Sequence, residues 1–208
     1  MALPNFFVTG VAKILTGEQP CKLEMWLAGR RRLPKRAKGE SSPELASYQI
    51  AHRRLLETET ARLRKVGWKV RVESFLRVEG AQAILTGKPD IIAEKPDCRP
   101  LIVDVKGGQK KESALVQVAL YMRLVPFAWH SPMMLFAGEV VHADERISVP
   151  PEFAAAFWPK ATALVRELAG DRPPANPSAS ACKYCRARAE DCAERFKGAE
   201  AVPTTMEF

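Results

Sequence analysis

The chain has 208 residues, with 32 Lys+Arg against 24 Asp+Glu and a net charge of +8. Apolar residues make up 47% and charged residues 27%, values that exclude collagen-like and broadly disordered classes and allow one domain with its own core. No apolar run is long enough to span a bilayer, and the N-terminal MALPNFFVTGVAKILTGEQPC lacks a basic segment ahead of a long apolar one, so no membrane span or secretion signal is expected and the expected address is cytoplasmic.

A sequence pI near 9.4 favours polyanionic partners, although a solvated basic surface has the same composition. The 5 cysteines are an odd set, which in a chain of this kind argues against a disulfide framework and for metal binding or catalysis. Cys21 stands near the N-terminus, Cys98 lies in KPDCRP, and Cys182, Cys185 and Cys192 crowd into ACKYCRARAEDC.

In chain order, residues 21–29 read as a short helix and RRRLPKRAKGESSP as a basic, then turn-rich, loop carrying Arg30, Arg31, Arg32, Lys35, Arg36 and Lys38. Ser42 as cap and Pro43 at the first helical position start a helix that runs to about Gly67, with Leu45, Tyr48, His52, Leu55, Leu56, Glu59 and Leu63 on one face. Period-two alternation of Trp68, Val70 and Val72 against Lys69, Arg71 and Glu73 predicts one half-exposed strand to about Val78. Glu79 and Gly80 make a turn, residues 81–94 a second strand, KPDCRP a hairpin, and LIVDVK a buried central strand, together a three-strand meander. A helix over 113–125, a strand over 133–141, a helix over 152–169 stopped by Gly170, and the linker DRPPANPSASA complete the chain.

These elements predict an α/β fold with a mixed central sheet flanked by helices. The expected divisions are 1–40 with the first cysteine and the basic loop, 41–170 as the core, and 171–208 with the cysteine cluster. The sequence has no internal repeat. It also has no GxxxxGK[ST] loop, so duplex unwinding would need a partner.

Chemistry concentrates between residues 87 and 121. Asp90 lies in one predicted strand, and Asp104 and Lys106 lie in the next, two apart and on one face. A carboxylate among Ile102, Val103 and Val105 is costly to bury without a cation or hydrogen bonds. Two carboxylates on adjacent strands offer hard oxygen ligands for Mg²⁺ or Mn²⁺, which hold water and a phosphate oxygen and lower that water's pKa. Lys106 would add positive charge beside the phosphate or position the water; a plain Asp–Lys salt bridge is the competing reading. Gly107 and Gly108 leave room behind the lysine, and Gln117 and Tyr121 share a helix face at i and i+4. Trp26, Trp68, Phe75, Trp129 and Trp158 could stack bases in principle, although aromatics at these spacings are more often core residues. His130 and His142 are expected to be exposed.

Taken in order, His52, Gly87 to Asp90, Asp104 to Lys106, and Gln117 to Tyr121 resemble the helix histidine, G-x-x-D, D-x-K and Q-x-x-x-Y motifs of the RecB-like branch of the PD-(D/E)XK nucleases. Cys21 with the C-terminal Cys182, Cys185 and Cys192 is similar to the iron–sulfur clamp of the CRISPR-associated exonuclease family within that branch.

This resemblance implies a restriction-endonuclease-like core and a metal-dependent DNA exonuclease. By the same resemblance, His52, Asp90, Asp104 and the Val105 carbonyl hold one or two Mg²⁺ or Mn²⁺ ions. Lys106 is then the catalytic lysine, and Gln117 and Tyr121 position the strand or brace the lysine. The four cysteines would carry a 4Fe–4S cluster joining the two ends of the chain; zinc on four thiolates is the alternative reading of the same residues. The implied substrate is single-stranded DNA or DNA ends, cut 5′ to 3′. The implied setting is CRISPR adaptation, trimming prespacers with the integrase complex as partner. A non-catalytic DNA-end-binding subunit and a zinc-containing DNA-binding protein are the competing functions. No membrane partner is expected, the sequence carries no mark of oligomeric state, and Cys98 has no assigned role.

Overall fold

The computed structural model describes residues 2–19, 21–30, 33, 43–183, 185–187 and 189–195. The chain opens with β1 (Asn5–Phe7), α1 (Val8–Leu15) and α2 (Lys22–Arg30), followed by the long helix α3 (Pro43–Lys65). The sheet residues come next: β2 (Lys69–Val72), β3 (Leu76–Glu79), β4 (Ile84–Gly87), β5 (Ile91–Glu94) and β6 (Leu101–Val105). Then follow α4 (Glu112–Ala128), β7 (Ala137–Val141), β8 (Arg146–Val149), α5 (Pro151–Ala169) and the short α6 (Ala179–Lys183).

Strands assemble into a five-stranded sheet of order β2-β5-β6-β7-β8 and a three-stranded one of order β1-β4-β3. In the larger sheet only β6 and β7 run parallel, because α4 carries the chain back across the sheet between them. The expected α/β class with a mixed sheet flanked by helices therefore holds. As expected, LIVDV is the central strand, paired on both sides and buried along its whole length.

Alternation along β5 and β6 sorts their side chains between two apolar layers. Ile92 and Ile102 face α4 and α5, while Ile91, Ala93, Val103 and Val105 face Leu63, Leu55 and Leu56 of α3. Asp104 falls on the α4 side by the same parity. Helix α4 is buried on nearly every side, which explains its near-continuous apolar sequence.

The meander differs from the expected three strands. The predicted strand over 68–78 is two strands in different sheets, broken at Glu73, whose φ is 49°. The predicted strand over 81–94 likewise divides into β4 and β5, with Lys88, Pro89 and Asp90 at the corner. Proline cannot donate to a ladder, so the pairing must break there. The two corners are tied by the Glu73 N–H, which donates to the Asp90 carbonyl at 2.8 Å. A single bent ribbon thus serves both sheets, and the bend delivers Asp90.

Three other expectations are corrected. β1, α1 and β8 have no counterpart in the sequence reading, being short or flanked by polar residues that blur the period. The predicted strand over 133–141 begins only at Ala137, and α4 continues through Pro126 to Ala128. His142 is buried at 6% exposure, directly after β7, with its N–H on the Glu145 carbonyl; His130 is exposed. Ser42 lies outside the described residues, but the helix begins at Pro43 as expected.

Candidate active site

β5 and β6 pair antiparallel with Ile91 opposite Val103, so continuing the register by one residue sets Asp90 opposite Asp104. The Asp90 carboxylate accepts the Val105 N–H at 2.8 Å, which holds it against the end of β6. Burial, then the Asp104 charge, push its pKa up to about 7, against the opposing pull of the Val105 N–H and Lys106. A buried carboxylate beside a second one forms a site that a cation would relieve.

Asp104 is 1% exposed. Gln117 Nε2 donates to its Oδ1 at 3.1 Å from the facing helix α4. Its Oδ2 has the Lys106 ammonium at 2.6 Å, in a direction that makes no proper hydrogen bond. Burial acts to lower the lysine's pKa, but the Asp104 carboxylate outweighs it and holds the ammonium above its usual range.

His52 reaches the same corner from α3. Its Nε2 lies 3.8 Å from Asp90 Oδ1, and its Nδ1 is buried with no hydrogen-bond partner. Close approach of α3 depends on Gly107, where a Cβ would fall 3.0 Å from the His52 backbone nitrogen and 3.3 Å from the Tyr48 carbonyl. Tyr121 is 1% exposed, and its hydroxyl accepts the Lys88 N–H at 3.1 Å, bracing the corner that carries Asp90. Burial, the largest influence on it, pushes its pKa up to about 12. Gly87 exists for this ring: a Cβ there would stand 2.5 Å from Tyr121 Cε1 and 2.9 Å from its hydroxyl.

His52, Asp90, Asp104, Val105, Lys106, Gln117 and Tyr121 are thus brought to one corner at the ends of β5 and β6. Among the described residues, however, no three His, Cys, Asp or Glu side chains are drawn together at metal-ligand spacing. The Lys106 ammonium supplies the positive charge beside Asp104 as the site stands. The donor set nonetheless fits a hard divalent cation: carboxylate oxygens, an imidazole nitrogen, and buried polar atoms, Asp104 Oδ2 and His52 Nδ1, that lack hydrogen bonds.

A polar cleft of about 430 Å³ opens in front of Lys106, lined among others by Lys13, Lys111, Tyr48 and Gln117. Glu18 borders it, accepting the Ser113 N–H at the start of α4 at 3.2 Å. Sequence reasoning missed Lys13, Glu18 and Tyr48. Tyr48 carried a signal, since it lies one helical turn before His52; Lys13 and Glu18 carried none, because the α1 segment had no expected place.

Other charged and aromatic residues stand elsewhere. Arg30 donates to the carbonyls of Leu168, Ala169 and Gly170 and so caps α5, while Arg31, Arg32, Lys35, Arg36 and Lys38 lie outside the described residues. Lys88 pairs with Glu73, and Lys110 pairs with Asp144 and Glu145. Glu59 is paired with Arg146 and Arg62. None of Trp26, Trp68, Phe75, Trp129 and Trp158 lines the cleft: Trp26 donates to the Gly170 carbonyl, Trp129 packs on Phe136, and Trp158 stacks on Phe127.

The four clamp cysteines border a common space, although, like the carboxylates of the corner, they do not stand at metal-ligand spacing. Cys21, Cys182, Cys185 and Cys192 all line one cavity of about 20 Å³ between the N-terminal α2 region and the C-terminal segment. No disulfide joins any of the five cysteines, and burial pushes the Cys185 thiol up. Backbone N–H groups of Asn176 and Ala187 donate to Cys21 Sγ at 3.5 Å and Cys185 Sγ at 3.4 Å, contacts of the kind that stabilise thiolates. Four soft sulfur donors around one space suit zinc or an iron–sulfur cluster. Cys98 is exposed in its hairpin, far in sequence from the rest.

The model of the PD-(D/E)XK nuclease superfamily matches residues 15–189. The chain belongs to this superfamily. The match takes in all the residues of the carboxylate corner, together with Cys21, Cys182 and Cys185. Among solved structures, the crystal structure of SSO0001 shares 12% identity at a TM-score of 0.45, over 89% of this chain and 85% of that one. An alkaline exonuclease (LHK-Exo) from Laribacter hongkongensis also shares 12% identity at a TM-score of 0.45, over 79% of this chain and 87% of that one. No curated protein matches the sequence. Among the described residues no helix is long and apolar enough to cross a membrane.

Proposed function

We propose that this member of the PD-(D/E)XK nuclease superfamily is a divalent-metal-dependent deoxyribonuclease acting on DNA ends. The observation that carries the reading is the Asp90–Asp104 pair at one buried corner, with Lys106 Nζ 2.6 Å from Asp104 Oδ2. When bound by Asp90, Asp104, His52 and the Val105 carbonyl, Mg²⁺ or Mn²⁺ would supply a Lewis acid and a water of lowered pKa.

The chain's own groups do the rest. Gln117 fixes Asp104 by holding Oδ1, which leaves Oδ2 directed at the corner. The Lys106 ammonium stabilises the charge that develops on the attacked phosphate and orients the nucleophile. Tyr121 keeps the Lys88–Asp90 corner in place through its hydroxyl. Lys13 puts positive charge on the cleft through which a phosphodiester backbone would approach, and Lys111, paired with Glu18 at 3.7 Å, stands beside it.

The motif resemblance extends the reading to a single-stranded DNA exonuclease of 5′ to 3′ polarity, acting in prespacer processing beside the CRISPR integrase. It also extends it to a 4Fe–4S cluster on Cys21, Cys182, Cys185 and Cys192. Convergence of these four residues on one cavity supports a metal-bearing clamp between the chain's two ends. The small size of that cavity favours a second reading for the clamp alone, a single zinc ion, which iron, sulfide and zinc analysis of anaerobically purified protein separates.

Purified protein with Mn²⁺ and end-labelled DNA tests the nuclease reading. Degradation that disappears in Asp104→Asn and in Lys106→Met is the expected result. Intact DNA with the wild-type chain would leave the competing roles, a non-catalytic end-binding subunit or a zinc-containing DNA-binding protein.

A further inference from the structure

The cleft contains one aromatic ring among its described lining residues, Tyr48. Its ring is nearly parallel to the His52 imidazole, with 14° between the planes and centroids 6.3 Å apart. It also lies against Gly108, where a Cβ would come within 3.1 Å of Cε2. A side chain larger than glycine at 108 would crowd the ring. Yet Tyr48 remains 41% exposed, whereas Tyr121, the other tyrosine of the corner, is 1% exposed. A flat ring set against Gly108 at a cleft lined by Lys13, Lys106 and Lys111, and left partly uncovered, is a surface for another flat group.

Position adds the second constraint. Tyr48 sits one turn before His52 on α3, and its cleft is shared with Lys106 and Gln117, the two side chains that touch Asp104. A strand whose phosphate rests at Asp90 and Asp104 and whose backbone continues past Lys106 into this cleft would pass this ring.

We propose that Tyr48 is the nucleobase platform of the cleft, stacking the base next to the phosphate being cut and thereby selecting unpaired strands. This deepens the nuclease reading and rests on it for the position of the phosphate. Selection of unpaired strands follows because a base within a duplex has its faces covered by its own neighbours. Stacking of this kind is tolerant of sequence, since every base has a π face, and removing one aromatic platform weakens binding on the order of tenfold. Tyr48 is a positioning and specificity residue that acts through its ring.

The test is binding of a fluorescein-labelled oligothymidylate in Ca²⁺, with strand integrity checked on gels, together with copies carrying one abasic site moved along the strand. In the wild type, affinity is expected to fall on the order of tenfold when the abasic site reaches one position. Tyr48→Phe should behave the same way. Tyr48→Leu keeps bulk beside Gly108 without a flat ring, and with Tyr48→Ala it should bind the intact strand as weakly as wild type binds the abasic one, without responding at that position. A wild type blind to abasic sites, a Tyr48→Leu that keeps the response, or a Tyr48→Phe that loses it overturns the platform. A wild type that shows the response but cuts nothing in Mn²⁺ overturns the nuclease reading and leaves the platform standing.

Discussion

Lys106 Nζ lies 2.6 Å from Asp104 Oδ2, on a strand whose other members, Leu101, Ile102, Val103 and Val105, are buried and apolar. With Asp104 1% exposed, the carboxylate has little water to solvate it and depends on the lysine and Gln117 for compensation. The same pair that would work on a phosphate is therefore also a term in folding.

Removing one partner should cost more than removing both. Lys106→Met leaves a buried carboxylate with only Gln117, and a loss on the order of 3 kcal/mol is expected. The double variant Asp104→Leu with Lys106→Met should recover most of it. Denaturant unfolding of the two singles and the double gives the coupling energy; additive losses would show that the pair contributes nothing to the fold.

Asp90 predicts the pH dependence. Its folded pKa, about 7, is raised above the ordinary carboxylate value of 3.8, so the folded state holds the proton more tightly than the unfolded one. Stability from this group is therefore fully present below about pH 4 and is lost progressively as pH rises to about 7. Asp90→Asn should flatten that part of the stability profile. Mn²⁺, which competes with the proton, should raise the melting temperature more at pH 8 than at pH 5. Equal Mn²⁺ shifts at both pH values would contradict a cation bound at Asp90.

Gly87→Ala tests why the G-x-x-D motif begins with glycine. The new methyl group would overlap Tyr121, 2.5 Å from Cε1, and force the ring off the Lys88 N–H. Overpacking of this kind costs about 1 to 3 kcal/mol. For a chain of this size that is a fall of roughly 3 to 10 °C in melting temperature. Adding Tyr121→Leu should restore part of the loss, and a Gly87→Ala protein that melts like wild type would remove the steric account.

The sequence showed this corner more clearly than it showed the sheet around it. D-x-K spacing places Asp104 and Lys106 on one face whatever the neighbouring strands do, and i, i+4 spacing does the same for Gln117 and Tyr121. The break at Glu73 was not legible, because a residue at φ 49° is fixed by its N–H to the Asp90 carbonyl, a tertiary contact with no local signature. His142 read as a loop residue because nothing nearby in sequence announces β8, whose Glu145–Arg146 turn covers it. Tyr48 was visible as a member of a helix face, but its exposure depends on Gly108 closing in from another element. The cysteines showed a cluster without its contents: spacing suggests convergence, and the structure brings the four to one cavity, but sulfur ligands alone suit two kinds of metal.

Glu59, on the same α3 face as His52, is a buried, paired acid. It is 5% exposed and accepts both Arg146 Nη2 at 2.8 Å and Arg62 Nε at 2.9 Å. Burial acts to raise its pKa, but the hydrogen bonds from Arg146 and Arg62 hold it below the usual range. This bridge fastens α3, and with it His52, to the far edge of the sheet. Arg146→Met should destabilise by roughly 2 to 3 kcal/mol. That loss should appear on acidification as a shallower fall in stability than in the wild type, since the depressed Glu59 contributes stability above its unfolded pKa and surrenders it as pH falls. Parallel acid limbs for wild type and Arg146→Met would argue against the bridge.

Cys182→Ala tests the clamp by two independent readings. Loss of one of four thiolates should lower both the bound metal per chain and the melting temperature, because the cavity joins the α2 region to the C-terminal segment. A variant that loses its metal yet melts like wild type would show that the metal does not staple the fold.

The measurement that bears most directly on the whole account is a time course of end-labelled single-stranded DNA with the wild-type chain, Asp104→Asn and Lys106→Met in Mn²⁺, repeated with a chelator. Progressive shortening by the wild type alone, abolished by either substitution and by the chelator, is the predicted result. Cleavage that survives Asp104→Asn at the wild-type rate would contradict the assignment of this corner as the active site.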